Sequence, residues 1–179
     1  MVREDEIAMK EDARIVLKPV PLTAERFAPY GDVIAASSDV SEAMNEARFD
    51  RYNDLARLDV DAKSGGRVAM SIVHCRVPTV LPYRFDMIER HPLGSQAFIP
   101  LTQQRFIVVV APAGESAEAD DLRAFVTNGH QGINYLRGVW HMPLIALEAG
   151  QEFLVVDRTG GGGNLDQVVL SEQVTLLAP

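Results

Sequence analysis

Short apolar runs separated by turn residues dominate the chain from residue 67 onward. Most of these runs are about four to eight residues long and rich in Val, Ile and Phe, which is typical of β-strands. Proline stands at or near the ends of many runs, where its missing amide proton costs a strand ladder little. The pattern predicts strands at 67–77, 83–90, 96–101, 105–111, 122–127, 142–148 and 151–157.

The first third of the chain has a weaker pattern. Alternating apolar and polar residues predict a strand at 14–18, Thr23 is placed to cap a short helix over 23–28, and a turn at Tyr30 leads into a strand that ends at Ile34. Residues 37–66 are more polar and less periodic. Many short strands with few helices indicate an all-β fold, either a sandwich, a jelly roll or a barrel.

The length of 179 residues suits one compact domain that can bury a sizeable core. We assign residues 14–179 to this domain and residues 1–13, which are rich in Glu, Asp and Lys, to a polar N-terminal extension. That extension lacks a continuous hydrophobic segment, so we expect neither a signal peptide nor a membrane anchor.

The charge balance restricts the partners. The chain has 17 basic and 25 acidic residues and a net charge of −8, which opposes binding to a polyphosphate, so we expect no nucleic-acid partner and no membrane partner. Cys75 is the only cysteine, which excludes an intrachain disulfide, and its apolar neighbours indicate a core position. A cytoplasmic location is the prediction.

Two short polar clusters, at 89–96 and 132–141, interrupt the apolar pattern. Glu89 and His91 are two residues apart, so their side chains share one face of an extended strand, and a loop returns Gln96 to that face. A later strand adds His141. Two imidazoles, a carboxylate and an amide that converge inside a β-barrel make a small pocket for a divalent metal or a carboxylate-bearing metabolite.

The spacing of these residues resembles the two motifs of the cupin superfamily. Glu89, His91 and Gln96 take the positions of the two histidines and the glutamate of the first motif, while Gly132 and His141 match the ends of the second. A metal would then be held by a mixed oxygen and nitrogen set of Glu89, His91, Gln96 and His141. Such a set binds more weakly, or with different selectivity, than a three-histidine site.

Longer strings, at 89–100, 124–135 and 139–144, resemble the ureidoglycolate lyase family, and shorter matches occur at 29–34, 51–55 and 153–158. The resemblance extends from about Arg14 to near the C-terminus. It implies a cupin-like double-stranded β-helix, or jelly roll, that forms a homodimer. It also implies cleavage of ureidoglycolate to glyoxylate and urea during allantoin and purine breakdown, with nickel as the divalent metal.

The resemblance also implies roles for individual residues. The reaction needs a proton acceptor, a donor for the departing urea nitrogen and cations for the substrate carboxylate. Candidates for proton transfer are Glu89, His91 and His141. Candidates for substrate binding are Arg90, Arg51, Gln96 and Tyr135. Strand alternation directs Arg90 away from Glu89 and His91, so a place on the outer surface or in a dimer contact is its alternative.

Purely structural interpretations apply to several other residues and compete with one of these roles. His74 and His130 lie outside the motif positions and are read as structural, and Gln96 could simply hydrogen-bond neighbouring backbone. Residues 160–163 are four glycines without a following Lys and Ser or Thr, so a surface turn is favoured over a phosphate-binding loop.

The sequence leaves two other functions open. One is a hydrolase that releases ammonia and carbon dioxide from the same substrate, although the chain has no His-x-Asp cluster to activate water. The other is a non-catalytic cupin module that binds a small carboxylic acid.

Overall fold

The computed structural model describes residues 15–36 and 41–179, so the predicted extension at 1–13 lies outside the described residues. These residues contain one α-helix, α1 (Ala24–Phe27), and short 3₁₀ turns at Ala62–Ser64 and Ala119–Asp121. Their strands are β1 (Ile15–Leu17), β2 (Val20–Pro21), β3 (Gly31–Ile34), β4 (Glu42–Met44), β5 (Phe49–Arg51), β6 (Arg67–His74), β7 (Tyr83–Arg90), β8 (Gln96–Pro100), β9 (Phe106–Ala111), β10 (Arg123–Val126), β11 (Gly132–Tyr135), β12 (Trp140–His141), β13 (Ile145–Ala146), β14 (Glu152–Thr159) and β15 (Asp166–Leu176).

The strands form two curled sheets and a hairpin. The larger sheet has the order β1-β15-β7-β12-β9-β10-β2, with β13 also paired to β9, and the smaller has the order β3-β11-β8-β14-β6. Strands β4 and β5 pair only with each other. Neighbours in each sheet are mostly distant in sequence, as in a jelly roll, and the architecture confirms the predicted all-β, cupin-like fold.

The core between the sheets is aromatic. Phe27, Phe106 and Phe153 are fully buried there, and Phe106 and Phe153 meet edge to face with ring centroids 5.1 Å apart. Strand β9 is buried on both faces, because Val108 points to this core and Val109 to a second one on the other side of the larger sheet. The double burial explains why β9 is a continuous apolar run rather than an alternating one.

Most predicted elements are confirmed. The strand predicted at 83–90 coincides with β7, and the hydroxyl of Thr23 accepts a hydrogen bond from the amide of Arg26 to cap α1. None of the helices in 15–36 and 41–179 is long and apolar enough to cross a membrane.

Several strands differ from the predictions. The strand expected at 142–148 is reduced to β13, because the amides of Leu147 and Glu148 donate to the side chain of Gln151 instead of a strand ladder. Hairpin β4–β5 lies in a segment without clear periodicity. The sequence also predicts no strand over 166–176, where β15 forms with a register shift between Val169 and Val174 that breaks its alternation.

Candidate active site between the sheets

Glu89, His91 and His141, three of the four residues predicted to converge, lie together. In the ladder between β7 and β12, His141 lies opposite Glu89, and their neighbours Ile88 and Trp140 point into the core on the outer side of the larger sheet. Glu89 and His141 therefore face the inside of the barrel, and His91 joins them just after β7 ends. One ligand atom from each of the three lies within 4.8 Å of the others, and His141 Nε2 is 3.9 Å from Glu89 Oε1.

Backbone carbonyls orient both imidazoles. His91 Nδ1 donates to the carbonyl of Asn164 at 2.7 Å, and His141 Nδ1 donates to the carbonyl of Val139 at 3.0 Å. A carbonyl only accepts, so each Nδ1 carries a proton and Nε2 is the nitrogen left to bind another group. Both Nε2 atoms are buried and have no hydrogen-bond partner among the described residues. Each is therefore available to a metal ion or to a proton.

Burial determines the protonation of the groups around His141. It lowers the pKa of His141 to about 3, helped by the nearby charge of His91 and opposed by the hydrogen bond to Val139. The ring of Tyr135 stacks on that of His141 with centroids 4.2 Å apart. Burial, with the charge of Glu89, raises the pKa of the Tyr135 phenol. At neutral pH the site thus holds a neutral imidazole beside a protonated phenol.

The residues present fit a divalent transition metal. Two imidazole nitrogens held by second hydrogen bonds, together with one carboxylate, form a common ligand set for such ions and leave coordination positions for a substrate. Gln96 lies on the facing sheet, opposite Tyr135 and Asp157 in its two ladders. Its amide nitrogen is 3.5 Å from Asp157 Oδ2.

The structure does not bring Arg90 to the cluster. Its guanidinium donates to Asp166 Oδ2 at 2.9 Å and to the carbonyl of Gly114, and it lies 4.6 Å from the centroid of the Trp140 ring. These partners lie on the outer side of the larger sheet, in agreement with strand alternation. Arg51 is exposed at the end of β5, in the hairpin that pairs with neither sheet.

Asn164 is a residue that the sequence did not point to. Its carbonyl accepts from His91, and its side-chain oxygen accepts from the amide of Leu93 at 2.8 Å, so one residue holds the segment after β7 at two points. It follows the four glycines at 160–163, which form the predicted surface turn. A single loop asparagine carries no sequence signal for this role.

Arg137 was also missed, although it lies inside the second polar cluster. Its Nη2 donates to Asp59 Oδ1 at 2.6 Å, and this bond holds the pKa of the Asp59 carboxyl below its usual value. The backbone of Asp59 is bound in turn by Ser95, whose hydroxyl accepts from the Asp59 amide at 2.8 Å and whose amide donates to the Asp59 carbonyl at 2.8 Å. The sequence signal that could have pointed to Arg137 was its position inside the second polar cluster.

Comparisons with known proteins agree with the motifs. A sequence profile described as ureidoglycolate lyase matches residues 14–177. A relative named ureidoglycolate lyase from Burkholderia mallei strain NCTC 10229 is 50% identical over 156 residues, which are 87% of this chain and 90% of the relative. One of the same name from Pseudomonas aeruginosa strain LESB58 is 46% identical over 161 residues, 90% and 94% of the two chains. The chain therefore belongs to the ureidoglycolate lyase family.

Proposed function

We propose that this protein is a lyase that cleaves ureidoglycolate to glyoxylate and urea, with Glu89, His91 and His141 around the reacting carbon. The observation that carries the proposal is the convergence of two buried Nε2 atoms, unpartnered among the described residues, and a carboxylate inside the barrel. The names of the relatives, which match most of the chain, support the choice of substrate.

The reaction is an elimination without water. The hydroxyl of the substrate carbon loses its proton, a carbonyl forms there, the bond to the ureido nitrogen breaks and that nitrogen takes up a proton. We assign the proton transfer to Glu89, because an ionised carboxylate accepts the hydroxyl proton and the resulting acid can return it to the departing nitrogen. His141 is a poor proton acceptor in its buried position, where its pKa is about 3.

The remaining groups bind and orient the substrate. The protonated phenol of Tyr135 supplies a hydrogen-bond donor at the wall of the site, and Gln96 lies opposite it in the ladder between β8 and β11. Residues Glu89, His91 and His141 would hold a divalent metal, for which the family resemblance implies nickel, and the proton acceptor would then be a remaining side chain instead of Glu89. Such an ion, when bound, polarises the oxygen atoms of the substrate.

Three further properties rest on the family resemblance and the composition. We propose that the chain acts in allantoin and purine breakdown, that it forms a homodimer and that it works in the cytoplasm. The first two are implied by the resemblance, and the third by the single cysteine.

The test is to identify the products made by the purified protein. Ureidoglycolate is supplied, and urea, glyoxylate and ammonia are each measured over time, before and after treatment with a chelator. We expect urea and glyoxylate in equal amounts with no ammonia. Loss of activity on chelation and recovery with Ni²⁺ would support the metal.

Each other result excludes a defined part of the proposal. Ammonia without urea would contradict the lyase and favour the hydrolase. Tight binding of ureidoglycolate or glyoxylate without turnover, whatever metal is added, would identify a binding module. Full activity after chelation would remove only the metal.

A further inference from the structure

The proposed reaction leaves one requirement unassigned, a cation for the substrate carboxylate. Two arginines near the cluster have their donors committed elsewhere. Arg90 binds Asp166 and Gly114 on the outer side of the larger sheet. Arg158, which is buried, donates to the carbonyls of Val60, Ser64 and Gly161. Neither is free to engage an incoming acid.

Arg137 lies in the turn that binds the ring of His141 and the backbone of His91. The turn connects β11 to β12: it begins after Tyr135, whose ring stacks on His141, and its Val139 carbonyl accepts from His141 Nδ1. The amide of Gly138, the next residue after Arg137, donates to the carbonyl of His91 at 3.0 Å. The two residues that follow Arg137 are therefore hydrogen-bonded to two of the three clustered residues.

The guanidinium of Arg137 is only half used. Arginine binds a carboxylate best through two parallel hydrogen bonds, for example from Nε and one Nη. Asp59 takes Nη2 at 2.6 Å, while Nε is buried and has no hydrogen-bond partner among the described residues. Leaving such a donor unsatisfied is unfavourable, so an acceptor that reaches Nε gains a bond that the free protein lacks.

The opening beside Arg137 can admit a small acid. A cleft of about 530 Å³ lies between Arg137 and the loop at Leu58–Lys63, on which Asp59 stands. Asp59 is bound to the guanidinium through one oxygen only, and its side chain is 48% exposed, so a competing carboxylate can displace it into solvent.

We infer that Arg137 is the carboxylate-binding residue of the site, and that Asp59 occupies half of its fork until the substrate arrives. The incoming carboxylate bonds to Nε and Nη2 together and releases Asp59. This assignment rests on the proposed function for its substrate, a small 2-hydroxy acid. It replaces Arg90 and Arg51 as the clamp.

Binding of two probes tests the assignment without requiring turnover. Calorimetric titration with glycolate, which has the carboxylate and the hydroxyl, is compared with glycolamide, which has no charge. Arg137→Gln should weaken glycolate binding at least about tenfold, since a charged bidentate pair is lost, and leave glycolamide unchanged. Arg137→Lys should lie between, because an ammonium cannot form the two parallel bonds.

Two further variants separate a clamp from a structural ion pair. Asp59→Asn should bind glycolate as tightly as the wild type or more tightly, because the competing charge is gone. Arg48→Gln is the control, since it removes another arginine–carboxylate pair, with Glu46, in the separate hairpin, and it should leave both probes unaffected. Thermal unfolding of each variant checks the fold.

The assignment is overturned if Arg137→Gln or a folded Arg137→Lys binds glycolate as the wild type does, if Asp59→Asn weakens binding as much as Arg137→Gln, or if the wild type does not bind glycolate. Its failure is distinguishable from failure of the lyase. Urea release that survives Arg137→Gln with unchanged KM removes the clamp and keeps the lyase. Arg137-dependent glycolate binding without urea release keeps the clamp and removes the lyase.

Discussion

At the scale of single residues, the chemistry of the site depends on which imidazole nitrogen is free. His91 and His141 are predicted from their motif positions, but their tautomers are set by the carbonyls of Asn164 and Val139. Of these two partners, Val139 is close in sequence to its histidine and Asn164 is 73 residues away. A partner at that distance is invisible before the fold is known.

Asn164 provides a test of this positioning. Asn164→Ala removes the acceptor for the Leu93 amide, so the segment that carries His91 loses one of its two attachments. We expect a loss of about 0.5–1.5 kcal/mol in the free energy of unfolding, the usual net value of one hydrogen bond. We also expect a lower kcat for urea release with little change in KM, because the variant disturbs a reacting group rather than the carboxylate contact.

Asn164→Asp is the matched control, since it keeps the side-chain oxygen in place and should recover most of the lost stability and rate. Denaturant unfolding and steady-state kinetics measure both effects. If Asn164→Ala lowers stability while kcat stays at the wild-type value, Asn164 has a structural role only.

At the scale of elements, the site is built by pairing strands that are far apart in sequence. Strand alternation alone correctly places Glu89 on the inner face of β7 and Arg90 on the outer face, and His91 joins Glu89 just after the strand ends. The register that puts His141 opposite Glu89 is set by the whole sheet, and no local pattern contains it. Strand β15 is not predicted for a different reason: its bulge interrupts the alternation from which a strand is recognised.

The loop at 57–61 is attached to the smaller sheet by polar bonds around Asp32 and Asn134. Asp32 on β3 accepts from the amide of Arg57 at 2.9 Å, from its guanidinium at 2.7 Å and from the side chain of Asn134 at 3.1 Å. Asn134 is fully buried and also donates to the carbonyl of Arg57. These bonds fix the part of the chain that carries Asp59.

This attachment predicts an acid-dependent loss of stability. Burial raises the pKa of Asp32, but hydrogen bonds from Arg57 and Asn134 and the charge of Arg57 outweigh it, so the folded pKa lies below the ordinary 3.8. The unfolded chain then binds a proton first as the pH falls. The contribution is fully present above pH 3.8 and is lost as the pH falls through the folded value.

Urea unfolding between pH 7 and pH 3 measures this effect in the wild type and in Asp32→Asn. The variant should be less stable than the wild type at pH 7, and the difference should shrink below pH 4 because the wild type loses its ionised carboxylate. A stability difference that stays constant over the whole range would contradict the role given to Asp32.

At the scale of the whole molecule, the all-β class follows from run length and composition, and the cupin architecture is what the resemblance of residues 89, 91, 96, 132 and 141 to the cupin motifs implies. The two-sided burial of β9 and the separate hairpin β4–β5 depend on how the sheets curl, which is a property of the assembled chain. The fold forms the site by bringing together side chains that are 50 residues apart in sequence, such as His91 and His141.

The most direct test of the account is the rate of urea release from ureidoglycolate by His91→Ala and His141→Ala, with His130→Ala as control. His130 is exposed in the turn between β10 and β11 and should leave the rate within about twofold of the wild type. We predict that each of the two cluster variants, folded as judged by thermal unfolding, loses at least about 100-fold in rate, the usual loss when one group that stabilises the transition state is removed. Urea release at the wild-type rate by either folded variant would contradict the proposed site.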